Sequence, residues 1–405
     1  MSQEKLKETL NLEKVTELTG NLVKIYSPYF QENDVLEYAH DWLKTRGLDP
    51  AYHRFHEKKV TNYKGVNVIG RLKGNSEGPL ILLNGHLDTV EICEGWTRDP
   101  LGAQVENGKL YGVGSLDMKS GCAAIMLAVE AFMNTTDHFN GEILYTLVSD
   151  EEGPYGLGTD ALLLDGITDY VDAAIVTEPS GSFAGLPFPC LCLGARGGWN
   201  YTVTFHGKSA HAANPEKGID AVEDAAKVLL ELKQSPLRQD DKLGKGSIAA
   251  IEIKGGGAAC SVPDKASFTI FRHTVPGETL GYLRQEVEAA VQRAGIRSQW
   301  HMKFRDAPHP ENGGYHPYLI SESNPYTKTL KRCIVEETGK PAVISYFPSI
   351  GDFNYLGSRA KVPTYVFGPQ GGNFHAPDEY VELDTIVKTA EIITRYLKDL
   401  LTPMP

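Results

Sequence analysis

A chain of 405 residues exceeds the size at which one hydrophobic core usually stops growing, so two domains are expected. Its apolar fraction of 41% and charged fraction of 23% are those of a soluble globular protein, and a formal net charge of -12 argues against a nucleic-acid partner. The six cysteines are scattered, which excludes a zinc ribbon or a dense disulfide framework, and neither a signal-peptide core nor a membrane-length apolar run appears. The expectation is a cytoplasmic protein with buried thiols and no membrane partner.

Taken in order, residues 13–26 and 33–46 carry apolar positions at helical spacing, and the second run closes at Gly47. Residues 65–70 read as a strand. Residues 80–83 form a short apolar run between Pro79 and Asn84-Gly85, the pattern of a buried strand. It ends in His86 and Asp88, whose spacing puts both side chains on one face. That pairing suits a metal ligand and its supporting carboxylate.

Residues 112–121 are glycine-rich but lack the Gly-Lys-Ser/Thr ending of a phosphate loop. They read instead as a loop that points Asp117 into a site ahead of a helix over 123–132. The strand at 141–148 runs into Asp150-Glu151-Glu152-Gly153, and that at 172–176 into Thr177-Glu178-Pro179. Residues 362–368 are a further strand, leading to Gly371-Gly372-Asn373-Phe374-His375, and 383–401 is an amphipathic helix.

Between these halves, residues 194–309 change texture. Alternating strands, as at 199–205 and 267–271, and amphipathic helices at 219–232 and 279–294 run strand, helix, strand, strand, helix and suggest an antiparallel α+β sandwich. The expected fold class is α/β: a mixed, mostly parallel sheet flanked by helices, built from 1–193 and 310–405, with the sandwich inserted at 194–309.

Strands that deliver His86, Asp117, Glu152, Glu178 and His375 to one sheet edge are hard to explain structurally, because unpaired buried carboxylates are costly. Two divalent cations would supply the missing charge, and the imidazole–carboxylate mix suits zinc or cobalt. A bridging Asp117 could hold them ~3.5–4 Å apart, with a bridging water deprotonated near neutral pH. Adjacent Glu151 and Glu152 point apart, so Glu152 is assigned to metal and Glu151 to general base.

Five segments carry a family resemblance: Gly85-His86-Leu87-Asp88-Thr89-Val90, Gly114-Ser115-Leu116-Asp117-Met118-Lys119-Ser120-Gly121, Asp150-Glu151-Glu152-Gly153, Thr177-Glu178-Pro179 and His375-Ala376-Pro377-Asp378-Glu379. Together they resemble the dizinc amidohydrolases that include acetylornithine deacetylase, succinyl-diaminopimelate desuccinylase, aminoacylase and glutamate carboxypeptidase. The resemblance spans nearly the whole chain. It implies that His86 and Glu178 bind one zinc, Glu152 and His375 the other, and Asp117 both. It also implies that Asp88 orients His86, that Glu151 is the base, and that the Asp117–Met118 peptide is cis.

The insert would be the family's lid and dimerisation domain. There His211, in Gly207-Lys208-Ser209-Ala210-His211, would reach the substrate oxyanion across a homodimer, and Arg272 would hold a substrate carboxylate. Gly371 and Gly372 match a loop that closes over substrate. Two segments depart from the family pattern: Cys260 stands where an asparagine is usual, and Ile270 where an aspartate is usual. The implied activity is hydrolysis of an N-acyl amino acid. The same metal set would serve a dipeptidase or carboxypeptidase acting on a short peptide, and a metal-binding protein without turnover would have no use for Glu151.

Overall fold

Residues 2–402 are described by a computed structural model. Four parallel strands make the middle of the larger sheet, in the spatial order Asn140–Val148, Ser76–His86, Ala173–Val176, Thr364–Val366. Residues 80–86 are buried on both faces, as a near-continuous apolar strand in a parallel sheet must be. Antiparallel strands extend the sheet on both sides: Lys64–Lys73 and Ala51–His56 beyond Asn140–Val148, and Cys190–Ala195 beyond Thr364–Val366. Val343–Phe347 then pairs parallel to Cys190–Ala195. The sheet is mixed, with its parallel pairs concentrated at the centre.

The helix Ser120–Thr135 is apolar nearly all round and buried accordingly. The amphipathic helix Leu383–Leu401 packs along it, and Thr394 Oγ1 reaches the Ala128 carbonyl at 3.4 Å. On another side helix Ser120–Thr135 meets the end of strand Ala173–Val176, and this contact requires Gly121, since a Cβ there would lie 2.3 Å from the Thr177 carbonyl oxygen, one residue before Glu178. Helix Leu12–Val23 starts where Asn11 accepts the Lys14 amide at 3.0 Å.

The chain divides into two compact units, one of residues 1–195 and 319–405 and one of residues 196–318, where sequence texture gives 194–309 for the insert. In the second unit the strand order is Ser247–Gly255, Lys265–Thr274, Gly197–His206, Gln299–Phe304, all antiparallel. Helices Ala221–Lys233 and Leu280–Ala294 pack on this sheet, burying Val203, Phe205, Phe268, Ile270, Val228 and Val287. The sequence reading stops one strand short. Trp300, Met302 and Phe304 alternate in Gln299–Phe304 and pack against this core.

Arg272 differs from expectation. Along Lys265–Thr274 burial alternates, and Arg272 shares the buried face with Ala266, Phe268 and Ile270. It is 0% exposed. Its guanidinium is bonded to Glu278 at 2.7 Å and Glu286 at 3.1 Å, and a third nitrogen reaches the His273 carbonyl. These bonds occupy the planar fork inside its own unit, so it offers no free face to a substrate carboxylate.

Candidate dinuclear metal site

The central parallel strands end side by side. His86 closes its strand opposite Val148; Glu151 and Glu152 follow Val148, Glu178 follows Val176, and the loop after Val366 leads to His375. Asp117 arrives from the turn Ser115–Lys119 that precedes helix Ser120–Thr135, and its peptide to Met118 is cis. His375 has φ 57°, a left-handed conformation uncommon outside glycine, though several-fold enriched for Asn, Asp and His.

Two ligand triplets result: His86, Asp117 and Glu178, and Asp117, Glu152 and His375, each with donor atoms within 4.8 Å of one another. Asp117 belongs to both. Its Oδ1 lies 3.4 Å from His86 Nε2 and its Oδ2 3.2 Å from His375 Nε2. Glu178 Oε1 is 3.3 Å from His86 Nε2, and Glu152 Oε1 is 2.9 Å from His375 Nε2. Glu151 joins neither triplet, with Oε2 3.8 Å from His86 Nε2.

Asp88 is buried behind His86. The nearest acceptor for His86 Nδ1 is the Asp88 carbonyl at 3.0 Å, with the carboxylate at 3.5 Å. That leaves Nε2 facing the other ligands. The Asp88 carboxylate accepts the Glu152 amide at 2.8 Å, so one residue braces a member of each triplet.

The electrostatics fit a cation site. Burial pushes the Glu178 carboxyl up to about 8, aided by the Asp117 charge, and Glu152 up to about 6. It holds Glu151 well above the usual carboxylate range. Asp117 moves down, because the neighbouring His375 and His86 imidazoles outweigh its burial. His375 rises to about 11, since its bonds to Asp117 and Glu152 outweigh burial. His86 Nε2, Asp88 Oδ1 and Glu178 Oε2 are buried without hydrogen-bond partners. Divalent cations in the two triplets would satisfy the ligand atoms left unpartnered among the described residues.

Two carboxylates around the site went unread in the sequence. Glu379, buried, accepts the amides of Gly114 and Leu116 at 2.8 Å and of Asp117 at 3.0 Å, which pins the turn that carries the shared ligand. Asp352, also buried, bonds Thr159 and Asn84 through its carboxylate, and its amide donates to Glu151 Oε1 at 3.1 Å. Glu379 is four residues from His375 and could have been suspected. Asp352 lies 201 residues from Glu151 along the chain, with no local signal.

The remaining candidates belong to neither triplet. His211, in the second unit, is exposed, and its Nδ1 accepts the Ala213 amide at 3.1 Å. Its neighbour across an isolated bridge is Ser261, beside Cys260, which has φ 61°. The cysteine thus stands at a backbone position that suits the usual asparagine. Gly371-Gly372 pairs antiparallel with Tyr380-Val381, where a Cβ on Gly371 would meet the Tyr380 carbonyl at 2.0 Å. The strand pairing alone therefore demands glycine at 371.

Residues 82–399 match the family model described as Peptidase family M20/M25/M40. A succinyl-diaminopimelate desuccinylase of Wolinella succinogenes is 31% identical over 332 residues, covering 79% of this chain and 84% of the relative. A tripeptidase from Staphylococcus aureus superposes with a TM-score of 0.78 at 18% identity, over 97% of this chain and 99% of its own. A Bacillus subtilis protein described as a dinuclear metal-binding peptidase of the M20 family superposes at 0.70 and 15%, over 96% and 98%. The chain belongs to peptidase family M20/M25/M40 and is a metal-dependent amide hydrolase.

Proposed function

We propose that the protein releases the acyl group from N-acyl amino acids. The observation that carries this reading is a free carboxylate, Glu151, held beside two ligand triplets that share Asp117. Two zinc or cobalt ions, held by His86, Glu178 and Asp117 and by Glu152, His375 and Asp117, would polarise the scissile carbonyl and acidify a water. Glu151 is fixed by the Asp352 amide, and burial raises its proton affinity. Both features suit a group that takes the proton of the attacking water and returns it to the leaving amine.

His211 fits the role of oxyanion donor. Accepting a hydrogen bond at Nδ1 leaves its proton on Nε2, which points a donor outward. A homodimer is part of the same reading. It is supported by the edge strand Ser247–Gly255, which exposes Ile251 (57%) and Ile253 (60%) on an unpaired edge. Among the described residues no helix is long and apolar enough to cross a membrane, and the reading places the enzyme in the cytoplasm.

The deciding assay strips the protein with a chelator, restores zinc or cobalt, and measures initial rates on N-acetyl-, N-succinyl- and N-formyl-amino acids beside dipeptides. Metal-restored cleavage of acyl-amino acids is expected. Cleavage of dipeptides alone would transfer the same site to a peptidase, and metal binding without turnover on either class would end the acyl-amino-acid reading.

A further inference from the structure

Two of the ligand loops carry a phenylalanine, and the two rings meet. Phe183 lies on the short helix Ser180–Ala184 that follows Glu178, and Phe374 immediately precedes His375. Their centroids are 4.2 Å apart and their planes 29° from parallel. Phe183 also sits 4.6 Å from Phe347, which meets Phe353 edge-on at 4.9 Å. Phe347 and Phe353 are 2% and 1% exposed, whereas Phe183 and Phe374 are only partly buried. An aromatic stack therefore rises from the core and surfaces at the metal ligands, with the Phe374 ring edge-on to His375 at 6.2 Å. At its inner end Phe353 follows Asp352, whose amide holds Glu151. The outer end of the stack thus adjoins His375, and its inner end adjoins the loop that holds Glu151.

A second observation concerns charge. A carboxylate on the acyl group or side chain, beyond the α-carboxylate that every N-acyl amino acid carries, calls for a further donor such as a cation. Arg272, the arginine that the sequence offers for such a task, is enclosed by Glu278 and Glu286. The ligand cluster itself is rich in carboxylates, so an anionic substituent gains nothing from it beyond the metals.

We infer that the substrate carries an apolar, flat group against the Phe183–Phe374 surface: an arylacyl group or an aromatic side chain, in place of a succinyl group. Stacked rings bury such a group by offset or edge contacts, and an apolar substituent there displaces only water that the rings hold weakly. The inference rests on the amide-hydrolase reading of the same site.

The test uses the zinc-loaded full chain. N-benzoyl-, N-phenylacetyl-, N-acetyl- and N-succinyl-leucine vary the acyl side, while N-acetyl-phenylalanine and N-acetyl-aspartate vary the amine side. At least a tenfold higher kcat/KM for an aromatic member over its anionic counterpart is expected, and the arm that shows it names the side. Phe374→Ala and Phe183→Ala should lower kcat/KM for the aromatic substrate by about tenfold more than for N-acetylglycine, with Phe374→Leu recovering part of the loss. A preference for the succinyl compound, or equal losses on every substrate, would overturn the inference.

Calorimetry on zinc-loaded Glu151→Gln gives a readout that needs no turnover. Phenylacetate is expected to bind at least tenfold more tightly than succinate, and tighter succinate would refute the aromatic surface. Absence of turnover on every amide, with phenylacetate still preferred, would count against the hydrolase reading and leave the aromatic preference standing.

Discussion

Glu151 and Glu152 are neighbours in the chain, and hydrogen bonding turns them to different partners. Glu152 is turned to His375 and Asp117, while Glu151 is held by an amide from a loop 201 residues away. Glu151→Gln keeps that bond and both triplets but cannot accept a proton. It should retain two metal ions per chain by elemental analysis and lose on the order of 10²–10⁴-fold in kcat. A variant of near-normal rate would remove Glu151 from the mechanism. Glu379 acts at one remove, since its carboxylate gathers three amides of the Asp117 turn. Glu379→Gln carries only one acceptor oxygen for those donors. Weaker metal binding is expected in competition with a chromophoric chelator, and unchanged affinity would reduce Glu379 to a packing residue.

Strand parity explains why Arg272 departs from its expected role. Phe268, Ile270 and Arg272 alternate with Thr269, Phe271 and His273, and the first set faces the helices. An arginine on that face must be neutralised locally, and Glu286 of helix Leu280–Ala294 and Glu278 just before that helix do so. Arg272→Met would leave two buried carboxylates unpaired. It should destabilise the protein by about 3–5 kcal/mol, read as a lower urea midpoint. An unaltered midpoint with a raised KM for carboxylate-bearing substrates would return Arg272 to substrate binding. The alternation is legible in residues 267–271, and carrying it two residues further puts Arg272 on the face of Phe268 and Ile270.

At the scale of the molecule, the exposed edge of the second unit bears on assembly. Ile253→Lys adds a charge to an edge strand that already carries Glu252 and Lys254. If this edge pairs two copies, the wild-type chain should run as a dimer by light scattering and the variant as a monomer. A monomeric wild type would remove the dimer from the reading, and with it His211 acting across two chains.

The sequence by itself determined where the candidate residues stand: buried strands at 80–83, 141–148 and 172–176 lead into His86, Glu151-Glu152 and Glu178, because a parallel sheet reads as apolar runs whose carboxyl ends are the place for a site. It also marked Asp117 and His375, through a glycine turn and a short motif. Tertiary structure decided everything that depends on distant partners. Asp352 meets Glu151, Glu379 meets the Asp117 turn, Arg272 turns inward, and Phe183 stacks on Phe374. None of these follows from local periodicity, since each is set by where two separate segments pack. Ligand identity is written in residue type and position along a strand; orientation and selectivity arise only when the chain closes on itself.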